Sequence, residues 1–351
     1  RFEDPLVIDE VYSWIDGMNV WSGLSAVSIE PLVDEKNIAN ELTLKVKSEM
    51  VFEWAQGDAN MRIQSIWSEE SESDGYQRKV LIADDVSLVS SFRSGPRSFD
   101  DHYREQQKVC HLMTFMFGRQ LFIRRHALRD ERFSYMIPGR EDPIKPRIQL
   151  ISSRTFADSV RDVPSRDKLS DPLANFQMVG MGGMEVWSAE YEKWERFILP
   201  SVNVLGRDVI LSTSMSMEAA GELIGECVGE ECLKGSGRNI PVSLCIYRCL
   251  RVLELELSSE FGGMVALSRA IANTYNAIKH SSRGCFPDGR EVSVVCDLSK
   301  LIVRLLALHV AKVDLNSCIR SYVSTALGKI ITKMAYWSMS IDENGKWCYE
   351  E

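Results

Sequence analysis

Several signatures of well-known chemistry are missing from these 351 residues. There is no Walker-type glycine loop, no GxSxG elbow and no HExxH pair, so phosphate-loop hydrolysis, serine-hydrolase chemistry and zincin-type proteolysis have no basis in the sequence. No CxxC occurs. The nine cysteines are scattered and odd in number, which does not indicate a zinc ribbon or a disulfide framework and reads as reduced thiols in a cytoplasmic setting. The most apolar run, Leu301 to Val313, is interrupted by Arg304, His309 and Lys312 and is too short to cross a bilayer, so no membrane partner is expected. Positive charge is in deficit, with a net charge of −9. A chain that coats nucleic acid indiscriminately is basic, so any RNA contact here must be local. Histidine is scarce, at five residues. The chain opens at Arg1, not Met, so the missing charged-then-apolar leader weighs little.

What is present is a globular balance of 45% hydrophobic and 26% charged residues, at a length suited to two domains. The first half reads as β-rich. Leu42 to Val46 and Met61 to Trp67 alternate apolar and polar residues; Lys79 to Ile82 and Val86 to Val89 follow, with the acidic stretch Ser68 to Gln77 as a loop. Ser98-Phe99-Asp100-Asp101 can cap one helix running to Gly118, because a hydroxyl and carboxylates satisfy free amides at a helix start. Leu121 to Ile123 and Arg147 to Ile151 resume strand character, and Phe156 to Gly183, including Gly180, Gly182 and Gly183, reads as irregular. From Val186 the period is helical. Trp187 to Ile198, Met217 to Val228, a helix begun by Pro241, Met264 to His280, Leu298 to Lys312 and Cys318 to Tyr336 complete a bundle. The expected fold class is therefore α+β: a β-rich domain with one internal helix over residues 1–185, then an all-α bundle over 186–351.

The helix ending at His280 carries two stripes. Leu267, Ile271, Tyr275 and Ile278 are apolar and turn Tyr275 to the core, whereas Arg269, Asn273, Asn276 and His280 form a polar row. Asn276 and His280 are one turn apart and Lys279 flanks them. Arg269 is three turns away, roughly 16 Å along the axis, too far to share one small site within a single chain. Histidine can act as acid or base near neutral pH, an amide can orient a phosphate, and Lys279 or Arg283 can offset developing charge, which is what cleavage of RNA through its own 2′-hydroxyl needs without a metal. The plain alternative is a cation at the negative end of a helix dipole beside solvated polar groups.

Three further clusters admit two readings. Cys227, Cys232, Cys245 and Cys249 are small core residues or a four-thiolate zinc site. Glu226, Glu230 and Glu231 are a solvated surface or a partner for His280. Arg119, Arg124, Arg125, Arg129 and Arg132 hold a nucleic-acid backbone or line the outward face of a strand and turn.

Tyr275-Asn276-x-x-Lys279-His280 resembles the closing motif of HEPN domains, helical bundles common in prokaryotic RNA-cutting toxins and defence proteins. Ser98 to His102, running into Leu112 to Gly118, is similar to the N-terminal domain of ApeA-like proteins, and Trp187 to Arg207 to the helix that opens their HEPN part. The order of these signals matches, and together they span most of the chain. The resemblance implies an anti-phage, abortive-infection effector whose HEPN domain is a metal-independent ribonuclease, with transfer RNA as a common target, a phage-derived trigger, and a site shared between two copies. In that family the motif is arginine, a polar residue often Asn, three variable residues and histidine. Asn276 and His280 match, but Tyr275 stands in the arginine position and cannot supply a guanidinium fork. Lys279 would then replace the charge, or Arg269 or Arg283 from a second copy. The alternative is a catalytically inactive HEPN scaffold for RNA binding, sensing or oligomerisation.

Overall fold

Period-two patterning in the first part of the chain becomes a mainly antiparallel β assembly, and the 3.6-residue period after it becomes helices. The computed structural model describes residues 6–33, 39–47, 51–154, 162–169, 171–205, 210–234, 240–255, 257, 259–280, 282 and 285–350. Two compact units are present: Arg1–Cys110 with Leu121–Ser188, and His111–Gln120 with Ala189–Glu351.

In chain order the first part contains β1 (Val7–Ile8), β2 (Glu10–Ile15), α1 (Met18–Ser22), β3 (Val27–Val33), β4 (Ala39–Val46), β5 (Val51–Gln56), β6 (Ala59–Ser73), β7 (Arg78–Phe92), β8 (Arg97–Ser98), α2 (Phe99–Phe117), β9 (Ile123–Arg129) and β10 (Ile148–Leu150). Six strands form one sheet in the order β10-β9-β2-β7-β6-β5, and β3 pairs with β4 as a separate ribbon. The internal helix is not alone, since the single-turn α1 precedes it between two left-handed glycines, Gly17 and Gly23. The stretch Ser68 to Gln77 is mostly strand. Pairing continues to Ser73 opposite Arg78, and only residues 74–77 turn, with the Asp74 carboxylate accepting from the Tyr76 and Gln77 amides. Main-chain pairing does not depend on side-chain polarity, so glutamates on an exposed ribbon mimic a loop in sequence.

A buried polar chain joins α2 to the sheet. Ser13 Oγ donates to Gln106 Oε1, Gln106 Nε2 donates to the Val11 carbonyl and to Ser90 Oγ, and Ser90 Oγ contacts His102 Nδ1 at 2.9 Å. His102 Nε2 lies 3.1 Å from the Ile8 carbonyl, and His126 Nδ1 2.6 Å from Ser13 Oγ. Because the one Ser13 proton is given to Gln106, His126 must donate from Nδ1, which leaves its Nε2 buried and without a partner among the described residues. The start of α2 is held as the sequence indicates, by Ser98 Oγ accepting from the Asp101 amide.

The later helices are α3 (Phe176–Glu190), α4 (Glu195–Val202), α5 (Ile210–Ile224), α6 (Val242–Val252), α7 (Gly263–Lys279), α8 (Gly289–Val310) and α9 (Ser317–Tyr336), followed by the hairpin β11 (Met339–Ile341) and β12 (Trp347–Tyr349). Helix α3 takes in the glycine run expected to be irregular, and it kinks at Gly180, whose φ of 67° breaks the ladder. The helix expected over Trp187 to Ile198 is two, divided by a turn at 191–194, although Trp187, Tyr191, Trp194 and Ile198 are all buried. Helix α8 begins nine residues before the expected Leu298, where the Asp288 carboxylate accepts from the Arg290 amide. The helical part is not all-α, because it ends in the β11–β12 hairpin.

Within the second unit α5 and α6 touch through their backbones: a Cβ on Gly221 would lie 2.4 Å from Cys245 Cα. The last turns of α2 belong to this unit. Arg304, from α8, donates to the Phe115 carbonyl at 2.8 Å, the Met116 carbonyl at 2.6 Å and the Tyr322 hydroxyl at 2.7 Å, so a guanidinium closes the negative end of that helix.

Candidate functional site at the end of helix α7

Helix α7 starts after Gly262, which has a left-handed φ of 64°, and buries Leu267, Ala270, Ile271 and Tyr275. It ends at His280, whose extended backbone (φ −125°, ψ 105°) leaves the helical path while its amide donates to the Asn276 carbonyl at 2.9 Å. That bond ties the motif's two matching residues together through the main chain. Both side chains are half-buried, and neither has a hydrogen-bond partner among the described residues. An uncommitted imidazole and an uncommitted carboxamide thus sit one turn apart at a helix end.

The remaining predicted residues are placed differently. Tyr275 is 1% exposed, so it is packed in the helical core and cannot be a surface RNA contact. Its hydroxyl accepts from Lys279 Nζ at 2.8 Å, and the ammonium lies 5.1 Å from the ring centroid. Lys279 is exposed and keeps its charge at the surface, but the tyrosine fixes its position. Arg269 does not approach His280. It donates to the carbonyls of Cys232 at 3.1 Å and Glu343 at 3.4 Å, so its guanidinium braces the end of the chain against α7. Arg283 lies outside the described residues, as do Ser281 and Gly284.

Beside Asn276 runs an open groove of about 900 Å³, walled by Asn273 of α7, Phe286 ahead of α8, and Trp347 and Tyr349 of β12. The terminal hairpin makes this wall. Trp347 Nε1 donates to Thr274 Oγ1 at 3.1 Å and Asn273 Nδ2 to the Gly345 carbonyl at 3.3 Å. A Cβ on Gly345 would lie 2.3 Å from Arg269 Cβ, so only glycine fits at this turn, where φ is +76°. Sequence reasoning missed the hairpin, although Asn344-Gly345 between short alternating runs signals one. His280 does not line the groove.

The other clusters resolve toward structural roles. Cys245 and Cys249 are buried in α6, Cys249 Sγ facing the Met217 carbonyl at 3.4 Å, and burial drives both thiols upward, Cys245 to about 12. No group of metal-binding side chains is found among the described residues. Glu230 is neither a solvated carboxylate nor a partner for His280. It is buried, bonded to Arg248 Nε at 2.7 Å and Nη2 at 3.0 Å, and accepts from the Cys227 amide at 3.0 Å. These bonds, Arg248's first, hold its pKa down at about 2. In the basic segment, Arg124 is buried and forked onto Asp16 at 2.7 and 2.9 Å, whereas Arg125 and Arg129 alternate outward along β9.

Four of the five histidines have lowered pKa values through burial, His111 and His126 to about 4, and His102 and His309 in the same direction. Among the described residues no helix is long and apolar enough to cross a membrane. No protein-family model matches the chain, and neither a curated protein nor a solved structure is found to be similar to it.

Proposed function

We propose that the helical unit is a HEPN-like module that cleaves RNA without a metal ion, as the effector of a cytoplasmic anti-phage, abortive-infection system. The observation that carries this reading is a pair of side chains, His280 and Asn276, that have no hydrogen-bond partner among the described residues and are held one turn apart by the bond from the His280 amide to the Asn276 carbonyl. In the reaction, the RNA 2′-oxygen attacks the adjacent phosphorus and the 5′-oxygen leaves, giving a 2′,3′-cyclic phosphate and a 5′-hydroxyl. His280 takes the 2′-proton or supplies the proton to the leaving oxygen, a second His280 from another copy serving the opposite role. Asn276 orients the phosphate, and Lys279 contributes positive charge where the family motif has arginine. A phage component is the proposed trigger and transfer RNA the proposed substrate class.

A second reading, an inactive scaffold for RNA binding, sensing or assembly, is favoured by one specific observation: Tyr275 is buried and ties down the only flanking lysine. The two are separated by incubating the full chain with total RNA in EDTA, with and without a phage lysate. The nuclease reading expects fragments ending in cyclic phosphate that disappear with His280→Ala. Intact RNA under all conditions supports the scaffold, and a strictly monomeric mass in solution counts against both.

A further inference from the structure

The outward face of the six-stranded sheet, opposite α2, carries an array not used by the site above. Strand alternation places Glu10, Tyr12 and Trp14 of β2 on this face, with Arg125 and Arg129 of β9 on one side and Arg62 of β6 on the other. Arg147, just before β10, joins them. The guanidiniums are layered on the aromatic rings: Arg125 lies 4.1 Å from the Trp14 centroid, and Arg147 and Arg129 lie 4.8 and 5.5 Å from that of Tyr12. Arg62 Nη2 donates to the Tyr12 hydroxyl at 3.2 Å.

Charge on the face is not balanced. Glu10 is shared between Arg62 at 3.2 Å and Arg129 at 3.8 Å, and Asp85 pairs with Arg125 at 2.5 Å. Arg147 is exposed and has no carboxylate partner among the described residues. Glu53 of β5 lies opposite Arg62 and on the same face, so four arginines face three carboxylates on this side of the sheet. Three buried polar atoms on the same face, Trp14 Nε1, Ser87 Oγ and Arg129 Nε, have no hydrogen-bond partner among the described residues, which is unusual for buried groups. The array crosses five adjacent strands, about 19 Å at sheet spacing.

From this arrangement we infer that the sheet face of the N-terminal unit is a docking surface for single-stranded nucleic acid. Guanidinium planes already backed by aromatic rings leave their outer faces as stacking platforms for unpaired bases, and their edges remain able to fork onto phosphate. A polyanion supplies the negative charge that these three carboxylates leave short. The surface belongs to the first unit and His280 to the second, and the inference does not depend on RNA being cut.

The test uses the full chain in a His280→Ala background, so that chemistry cannot consume the probe. A labelled 15-nucleotide oligouridylate is titrated by fluorescence anisotropy in EDTA at two salt concentrations. Arg125→Glu/Arg147→Glu is expected to weaken binding about 30-fold or more and to lower the salt slope by about 0.7 per lost phosphate contact. Arg125→Lys/Arg147→Lys keeps charge but loses the flat stacking surface, and is expected to bind about 5-fold or more weakly. Should the glutamate variant melt below its parent, the lysine variant, which retains a cation beside Asp85, decides. Binding unchanged by either replacement, or no binding by the parent, overturns the inference. So does equal competition by polyglutamate at matched charge, which would assign the face to an acidic protein instead.

Discussion

Removing the Glu230 carboxylate should destabilise the helical unit more than most single substitutions. Glu230→Ala leaves Arg248, itself 4% exposed, buried with a full charge and only a 3.3 Å bond to the Gly221 carbonyl. It also frees the Cys227 amide and removes a contact at 3.3 Å to Lys234. Breaking a buried ion pair from one side costs about 3–5 kcal/mol, because the surviving charge is left uncompensated. Partial relief by water places the expected loss near the lower end, about 3 kcal/mol. The measurement is urea unfolding at pH 7, followed by far-ultraviolet circular dichroism, in which the helical unit dominates the signal. The companion Glu230→Met/Arg248→Met removes both charges and should regain most of the loss, since apolar replacement of a whole buried pair is often neutral. Two results refute the reasoning: a single-variant loss below about 1 kcal/mol, or a double variant no more stable than the single. The pair also fixes a pH window. The Glu230 pKa is depressed, so its contribution is complete above the ordinary carboxylate value and is lost as pH falls from about 4.5 toward about 2.

The polar chain under α2 predicts acid sensitivity of a different origin. Burial holds His126 at about 4, so the unfolded chain binds its proton first and stability falls as pH drops from about 6.5 toward 4, by up to about 3 kcal/mol. Unfolding of the N-terminal unit at pH 7 and pH 4.5 measures this, and His126→Gln should reduce the difference, with His102, also lowered by burial, supplying the remainder; an unchanged profile in the variant would reject the assignment. At the α5–α6 contact, Gly221→Ala should cost about 3 kcal/mol or more, because the added methyl meets the Cys245 backbone and not a flexible side chain. Thermal unfolding indistinguishable from the parent would show that the two helices separate freely.

Elements with a single dominant period were legible in the sequence. Helix α7 runs Gly263–Lys279 against an expectation of Met264 to His280, and α9 runs Ser317–Tyr336 against Cys318 to Tyr336, because apolar stripes and chain-ending residues agree there. The inward turn of Tyr275 was legible for the same reason. What was not legible depended on distant partners. Glu230 looks like a surface residue until Arg248, eighteen positions away, is folded beside it. The glutamates of β6 look like a loop until β7 pairs across them. Arg269 belongs to the polar stripe of α7, yet its donors are taken by carbonyls at Cys232 and Glu343. Helical spacing tells which residues share a face, but it does not tell which loop will lie against that face.

The guanidinium of Arg304 on the carbonyls that end α2 has a practical consequence. Residues 111–120 are counted with the helices that follow Ser188, so the second unit is discontinuous in sequence. A gene fragment starting at residue 186 would omit those ten residues and leave Arg304 facing a gap where two oxygen acceptors belong. Any attempt to assay the proposed nuclease apart from the β-rich part should therefore splice that segment back in, or use the whole polypeptide.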